Sequence, residues 1–497
     1  MPMLWIIRDL RFPFNSNSGL RLSYFLLLFL CVSASLRGTS PAKSPPNVLF
    51  IAIDDLNCWA IDKNQYPRVQ TPNIDRLRER GVTFTNAHCA VPACNPSRTA
   101  LLTGVSPFVS GVYMNKQDWR ECKNLADVVT LPEFFQNSGY KTMGGGKIYH
   151  AHSLSTEAHT GFIDAEPWDE YFPSKDQQMP LEVDPPVMPE NGNPKFYGGH
   201  MDWSALDITD DEMADGKVVS WAEEQLTSEH DKPLFLAVGI YRPHVPWYNP
   251  KKWFELYPLE QVALPHVEEK DLDDTPEAGQ KMARRHWQQW MIENDQWQKF
   301  VRAYLASVSF ADAMVGRLLD ALDNGPHAKN TVIVLWSDHG YHLGHKEHWE
   351  KFALWEQATR VPLIFAAPGI GGGDSTNRPA SLLDIYPTLV DLTQGSPPSH
   401  LNGKSLAPWI ENPKAPFKTP VITTHGSGNH AIRSERWRYI RYSDGTEELY
   451  DHSSDPHEFT NLAATPEHVA VIKEHRHWLP RSEVKADPPL TSQKKKG

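Results

Sequence analysis

Asn47–Asp55 reads NVLFIAIDD, six apolar residues in a row that end in two aspartates. A strand with one wet face alternates apolar and polar residues, whereas an unbroken apolar run of this length fits a strand covered on both faces, as in parallel sheets. Four more segments read as such strands: GYKTM (Gly139 to Met143), PLFLAVGIY (Pro233 to Tyr241), TVIVLWS (Thr331 to Ser337) and VPLIFAA (Val361 to Ala367). Helical patterns lie between them. One begins at Thr71-Pro72, a cap followed by proline in the first turn, and stops at Gly81; another runs from near Thr130 to Gly139. A long stretch from about Arg284 to Leu322 and DIYPTLVDLT from Asp384 add more. This alternation predicts an α/β fold with a large, mostly parallel sheet between helices. From about Pro413 the texture changes to short segments, VITTHG, AIRSERWRYIRYS and EELYDHSSDP, and then a helix from Pro466 to Trp478. The expected division is a signal peptide at 1–35, a catalytic domain at 36–412, and a C-terminal subdomain at 413–497 with a small antiparallel sheet and a helix.

Composition narrows the partners. The 497 residues carry a net charge of −12, which gives a nucleic acid no global attraction and obliges any anionic substrate to find a local cationic pocket. Seventeen tryptophans favour deep, aromatic-lined surfaces of the kind that face sugars. At the amino terminus, Arg8, Arg11 and Arg21 precede an apolar run from Tyr24 to Val32 and the small residues Ser33-Ala34-Ser35. The run is shorter than the roughly 20 residues of a membrane span, so it predicts export with cleavage near Ser35 and no stable membrane insertion afterwards. Cys31 would leave with this segment; Cys58, Cys89, Cys94 and Cys122 could pair as two disulfides and show no zinc spacing. Only Asn95 begins a possible glycosylation sequon, and Pro96 disqualifies it, which favours the bacterial periplasm or extracellular space over a lysosome.

The chemistry-bearing residues follow the strands. NVLFIAI runs into Asp54-Asp55; GYKTM runs through three glycines into Lys147 and His150; PLFLAVGIY runs into Arg242-Pro243-His244; TVIVLWS runs into Asp338-His339. Ligands of open α/β sheets gather outside these carboxyl ends. Singly, each residue has an ordinary explanation: an aspartate pair caps a helix, a loop lysine is solvated, a free cysteine is a small buried hydrophobe. Together, three carboxylates crowd unless a cation neutralises them, and hard oxygen ligands suit Ca²⁺ or Mg²⁺ better than zinc. His339 is the softer member of that set. Arg98, Lys147, His150, His244 and Lys351 supply the opposite sign, a pocket for a tetrahedral anion. Cys94 opens CNPSRTALLTG (94–104), at a helix amino terminus that favours anions. A thiolate there could be a nucleophile, although an oxygen nucleophile would suit a hard cation better.

CNPSRTALLTG resembles the C-x-P-S-R-x-x-x-L-x-G signature of type I sulfatases, in which the cysteine is oxidised to formylglycine. The likeness extends through NVLFIAIDDL, TPNIDRLRERGVTFTNAHCAVPA, GGGKIYH, YRPHVPW, SDHGYHLGHKEHWEK and ELYDHSSDPHEFTNLA. It is greatest to the iduronate-2-sulfatase branch, through GKIYH, RPH, DHG followed by WEK, and His339 where many sulfatases have asparagine. The resemblance implies an alkaline-phosphatase-like fold, a sulfated oligosaccharide or polysaccharide as substrate, and a formylglycine-generating enzyme as partner in maturation. It implies that Asp54, Asp55, Asp338, His339 and the modified Cys94 bind Ca²⁺, and that hydrated formylglycine attacks sulfur with one hydroxyl and expels sulfate with the other. Arg98 and His150 would hold the diol, Lys147 and Lys351 the sulfate oxygens, and His244 would protonate the leaving alcohol. His342, His345 and His348 would tune the substrate or line the rim; Trp119, Arg120, His152, Trp247 and Trp349 are candidate sugar contacts. Two other readings are a phosphodiesterase or phosphonate hydrolase with the same sheet and rim, and a non-catalytic binder of sulfated glycans.

Overall fold

The computed structural model describes residues 45–488 apart from 67, 152–160, 184–200 and 418. The expected signal peptide at 1–35 and the candidate sugar contact His152 lie outside them. The apolar runs become β1 (Asn47–Ile53), β3 (Lys141–Gly146), β5 (Leu234–Ile240), β6 (Thr331–Ser337) and β7 (Leu363–Ala366). Three short strands join them: β2 (Val82–Phe84), β4 (Glu170–Phe172) and β8 (Asp374–Thr376). The resulting sheet has the order β8-β2-β7-β6-β1-β5-β3-β4, and only β7 opposes its neighbours. The third strand begins two residues later than its sequence suggests, because Gly139 (φ 85) turns the chain first.

Side chains of β1 alternate between two cores. Leu49, Ile51 and Ile53 pack toward the helix Trp297–Asn324; Val48, Phe50 and Ala52 pack toward the helices Cys94–Thr103, Leu131–Asn137 and Ile385–Leu392. An apolar run without alternation is thus what this position in the sheet requires. The long helical pattern from Arg284 resolves into two helices, Arg285–Glu293 and Trp297–Asn324. Asp295, with φ 54, breaks it; aspartate is among the residues that tolerate the left-handed region.

β3 and β5 meet at two glycines. Gly146 has φ 73, and a Cβ on it would lie 2.1 Å from the carbonyl oxygen of Gly239. This approach lets the Lys147 amide donate to that same oxygen (3.0 Å) and turns the lysine onto the rim. Gly146→Ala adds left-handed strain of about 1–2 kcal/mol to overpacking of about 1–3 kcal/mol. A fall in the urea midpoint equivalent to at least about 2 kcal/mol is expected.

The C-terminal strands β9 (Val421–Thr424), β10 (His430–Arg433), β11 (Trp437–Arg441) and β12 (Glu447–Asp451) form an antiparallel sheet in sequence order, followed by the helix Val469–Arg476. This sheet is bonded to the segment before Cys94: Thr424 N–H donates to Ala90 O (2.8 Å) and Thr423 Oγ1 to Cys89 O (2.6 Å). Beside it, buried Arg438 lies between the carboxylates of Glu356 and Glu458. Cys58, Cys89, Cys94 and Cys122 are all free thiols, so the two disulfides they could form are not made among the described residues. No helix among those residues is long and apolar enough to cross a membrane.

Candidate active site

Four strand ends and one helix start converge. Asp54 and Asp55 leave β1, and the Asp54 amide donates to Ile240 O at the end of β5 (3.1 Å). Asp338 and His339 leave β6, one strand away. Cys94 opens the ten-residue helix Cys94–Thr103, which is fixed to that strand end when Ser97 Oγ donates to Asp338 O (2.6 Å). Arg98, one turn on, spans the cluster. Its Nε donates to Asp338 Oδ2 (2.8 Å), its Nη2 lies 3.4 Å from Asp54 Oδ1, and its Nη1 donates to the carbonyls of Lys147 and Ile148.

Cys94 is fully buried. Its sulfur lies 3.2 Å from both Lys351 Nζ and His339 Nε2, and 3.7 Å from Asp54 Oδ1. Lys147 Nζ pairs with Asp54 Oδ2, and Lys351 Nζ with Asp55 Oδ1 (2.8 Å). His244 Nε2 is 3.8 Å from Asp55 Oδ2, with Nδ1 bonded to Val245 O (2.6 Å). His150, also buried, feels the charges of Lys147, Asp54, Lys351 and Arg98. The donor atoms of Asp54, Cys94, Asp338 and His339 all lie within 4.8 Å of one another, and those of Asp55, Cys94 and His244 form a second such group. Every catalytic and metal residue expected from sequence therefore stands in one buried cluster.

The charges inside it are strongly perturbed. Burial pushes the Cys94 thiol up, but Lys351, Lys147 and His339 outweigh it and hold the thiol below its usual range. Burial pushes the Asp55 carboxyl up to about 7, and neighbouring Asp54 adds to the rise. Burial would lower His339, yet Asp338 and Cys94 raise it to about 9. Burial and then Lys147 push His150 down to about 3, which keeps it neutral. A carboxyl that burial and an adjacent carboxylate push toward neutrality is one that a divalent cation would hold ionised. Three carboxylates and one imidazole fit a hard cation such as Ca²⁺, with the imidazole the less usual member.

The likeness to sulfatases extends over most of the chain. A family model described as Sulfatase matches residues 46–396, a span that holds the entire cluster.

The chain belongs to the sulfatase family.

A second family model, described as N-sulphoglucosamine sulphohydrolase, C-terminal, matches residues 344–485 of this sulfatase. A sulfatase of Formosa agariphila is 39% identical over 484 residues, 92% of each chain. Human iduronate 2-sulfatase is 31% identical over 389 residues, 71% of this chain and 66% of the human one, so that branch is a relative. The solved structure of a 2-O GAG sulfatase superposes with a TM-score of 0.67 over 87% of this chain and 91% of its own, at 22% identity, and shares the fold.

Several sequence expectations around the sulfatase site are corrected. Trp247 and Trp349 are fully buried: Trp247 packs against Phe300, Tyr304 and Tyr341, and Trp349 donates to Gln288 Oε1 (2.6 Å), so both are core residues. His342, His345 and His348 are buried too, and burial pushes each below its usual range; they brace the loop behind the rim. Trp119 is buried and donates to Phe162 O (2.7 Å); Arg120 is exposed, pairs with Asp118 (2.6 Å) and keeps its place as a candidate contact. Other contributors carry no motif. Tyr304 OH, from the long helix, donates to Asp55 O (2.7 Å), and the Tyr241 ring lies 4.6 Å from Lys147 Nζ. Asp215 accepts from the amides of Tyr241 (2.7 Å) and Arg242 (2.9 Å), which fixes the turn that presents His244.

Proposed function

We propose that this sulfatase removes sulfate from a sulfated carbohydrate, in the manner of the iduronate-2-sulfatase branch, with Cys94 oxidised to formylglycine and Ca²⁺ held by Asp54, Asp55, residue 94, Asp338 and His339. The observation that carries this reading is the position of Cys94: a helix-start side chain 3.2 Å from a lysine and a histidine, against carboxylates from two strand ends. Formylglycine supplies, when hydrated, an oxygen nucleophile with a second hydroxyl for sulfate release, and Ca²⁺ supplies charge that draws sulfate oxygens inward.

This chain's own side chains do the rest. Lys147 and Lys351, whose ammonium groups are held by Asp54 and Asp55, offset the charge that grows on the sulfuryl oxygens. Arg98 fixes the helix that begins at residue 94 to Asp338 and Asp54. His150 is neutral and would help hold the diol at position 94. His244 donates Nδ1–H to Val245 O and presents Nε2 toward the cluster; as an imidazolium it can give the Nε2 proton to a departing sugar alkoxide. The same reading assigns 1–35 to export into the periplasm or medium, 36–412 to catalysis, 413–497 to a C-terminal subdomain, and maturation to a formylglycine-generating enzyme.

A phosphodiesterase or phosphonate hydrolase would share the sheet and rim, but the intact CNPSR motif favours sulfate. Turnover of matched sulfate and phosphate esters of the same sugar, together with the mass of the peptide carrying residue 94, tests the choice. Faster sulfate release and a mass of formylglycine at that position are expected; preferred phosphate turnover or an intact thiol in active enzyme would reverse it.

A further inference from the structure

Residues 344–352 connect the Asp338-His339 strand end to Lys351 by a contorted path. Lys346, Glu347, Glu350 and Phe352 all have left-handed backbones, with φ of 56, 50, 73 and 71°. Each such residue costs on the order of 1–3 kcal/mol and persists only where its surroundings impose it. The path aims Lys351 Nζ at Asp55 and Cys94 and sets the Phe352 ring next to it, with Nζ 5.9 Å from the ring centroid.

Two further side chains meet that ring. The Arg284 guanidinium lies 4.9 Å from its centroid, and the His425 ring lies 6.1 Å away at an angle of 39°. Arg284 comes from the segment before the helix Arg285–Glu293, and His425 from the turn after β9. Arg284 is tied to the catalytic loop: its amide donates to His348 Nδ1 (2.9 Å), His348 Nε2 bonds Lys351 O (2.8 Å), and Nη1 pairs with Glu350. Its side chain is nevertheless 33% exposed. Among the described residues, its Nε and Nη2 have no hydrogen-bond partner, and neither has His425 Nδ1. A fork with idle donors, an aromatic wall and an idle imidazole nitrogen therefore converge one side chain away from Lys351.

We propose that Arg284, Phe352 and His425 form a subsite for a second anionic group of the substrate, a carboxylate or a further sulfate carried by the same sugar or its neighbour. The proposal deepens the carbohydrate-sulfatase reading and rests on it. A guanidinium recognises either oxyanion bidentately, and a planar ring covers the apolar face of a sugar. Burial pushes His425 down to about 4, so it adds a hydrogen bond and no charge.

The test compares specificity. For wild type, Arg284→Ala and Arg284→Lys, kcat/KM is measured on a monosulfated neutral disaccharide, the same disaccharide with a uronate carboxylate, and a disulfated one. In Arg284→Ala the preference for at least one acidic substrate over the neutral one should fall about tenfold or more, and Arg284→Lys should retain part of it. The acidic substrate affected identifies the group. A general loss of structure would lower all three rates together and leave the ratios unmoved, which would overturn the proposal. Arg284→Ala takes one cation away from buried Glu350, so Arg284→Met with Glu350→Gln removes both charges and should show the same fall. Calorimetric binding of the three disaccharides to Cys94→Ala, with and without Arg284→Ala, separates the two ideas. The acidic preference in binding should vanish with Arg284 even if catalysis proceeds otherwise than proposed, and a preference that persists would refute the subsite.

Discussion

Cys94→Ala should lower sulfate release by roughly 10⁴-fold or more, the scale seen when a covalent nucleophile is deleted. The substitution removes the one atom that lies 3.2 Å from both Lys351 Nζ and His339 Nε2. It leaves the Arg98 contacts to Asp338 and Asp54 intact, so the cluster keeps its frame. Circular dichroism should be unchanged, and affinity for the sulfated substrate should change far less than the rate. Release of sulfate at the wild-type rate would remove residue 94 from the chemistry altogether.

Arg438→Met should destabilise the protein by about 3–5 kcal/mol, the cost of breaking a buried ion pair by deleting one partner. Arg438 is fully buried; its Nη2 pairs with Glu356, its Nε lies 2.5 Å from Glu458 Oε1, and its Nη1 donates to Leu354 O (3.0 Å). Methionine fills similar space and leaves two buried carboxylates with one cation fewer. Burial would raise the Glu458 carboxyl, but Arg438, first among its partners, brings it from the ordinary 4.5 to about 2. A carboxyl lowered in this way contributes stability above its unfolded value and loses it as pH falls toward the folded one. The stability gap between wild type and Arg438→Met should therefore be full near neutrality and narrow between pH 4.5 and about 2, as read from urea midpoints. A gap that does not change over that window would mean that Arg438 acts by packing alone.

The sheet interior is legible because β1, β5 and β6 are apolar on both faces, and the residue after such a run falls on the rim by geometry. Asp54 and Asp338 are found by that rule alone. The edges are not legible: Val82–Phe84 and Asp374–Thr376 are three residues each, too short for a period, and they pair because the sheet offers them a neighbour. Nor does sequence reveal which aromatic residues are walls and which are core. Trp247 and Trp349 open short strands close in sequence to site residues yet fill the interior, while Phe352 stands at the edge of the site. Arg284 is invisible for a related reason: it reaches the site from about 60 residues upstream in the chain, through His348 and Phe352, and no motif marks that route.

The depth at which residue 94 is enclosed sets an order of events. Its sulfur is sealed beneath a helix start, and the preceding segment is stitched to a sheet made from the last fifth of the chain. On the proposed reading, in which residue 94 is oxidised to formylglycine, the oxidising enzyme has to reach that atom before the final strands dock, during synthesis or before the chain closes. Material overproduced faster than it is modified would be well folded, correctly shaped and permanently idle.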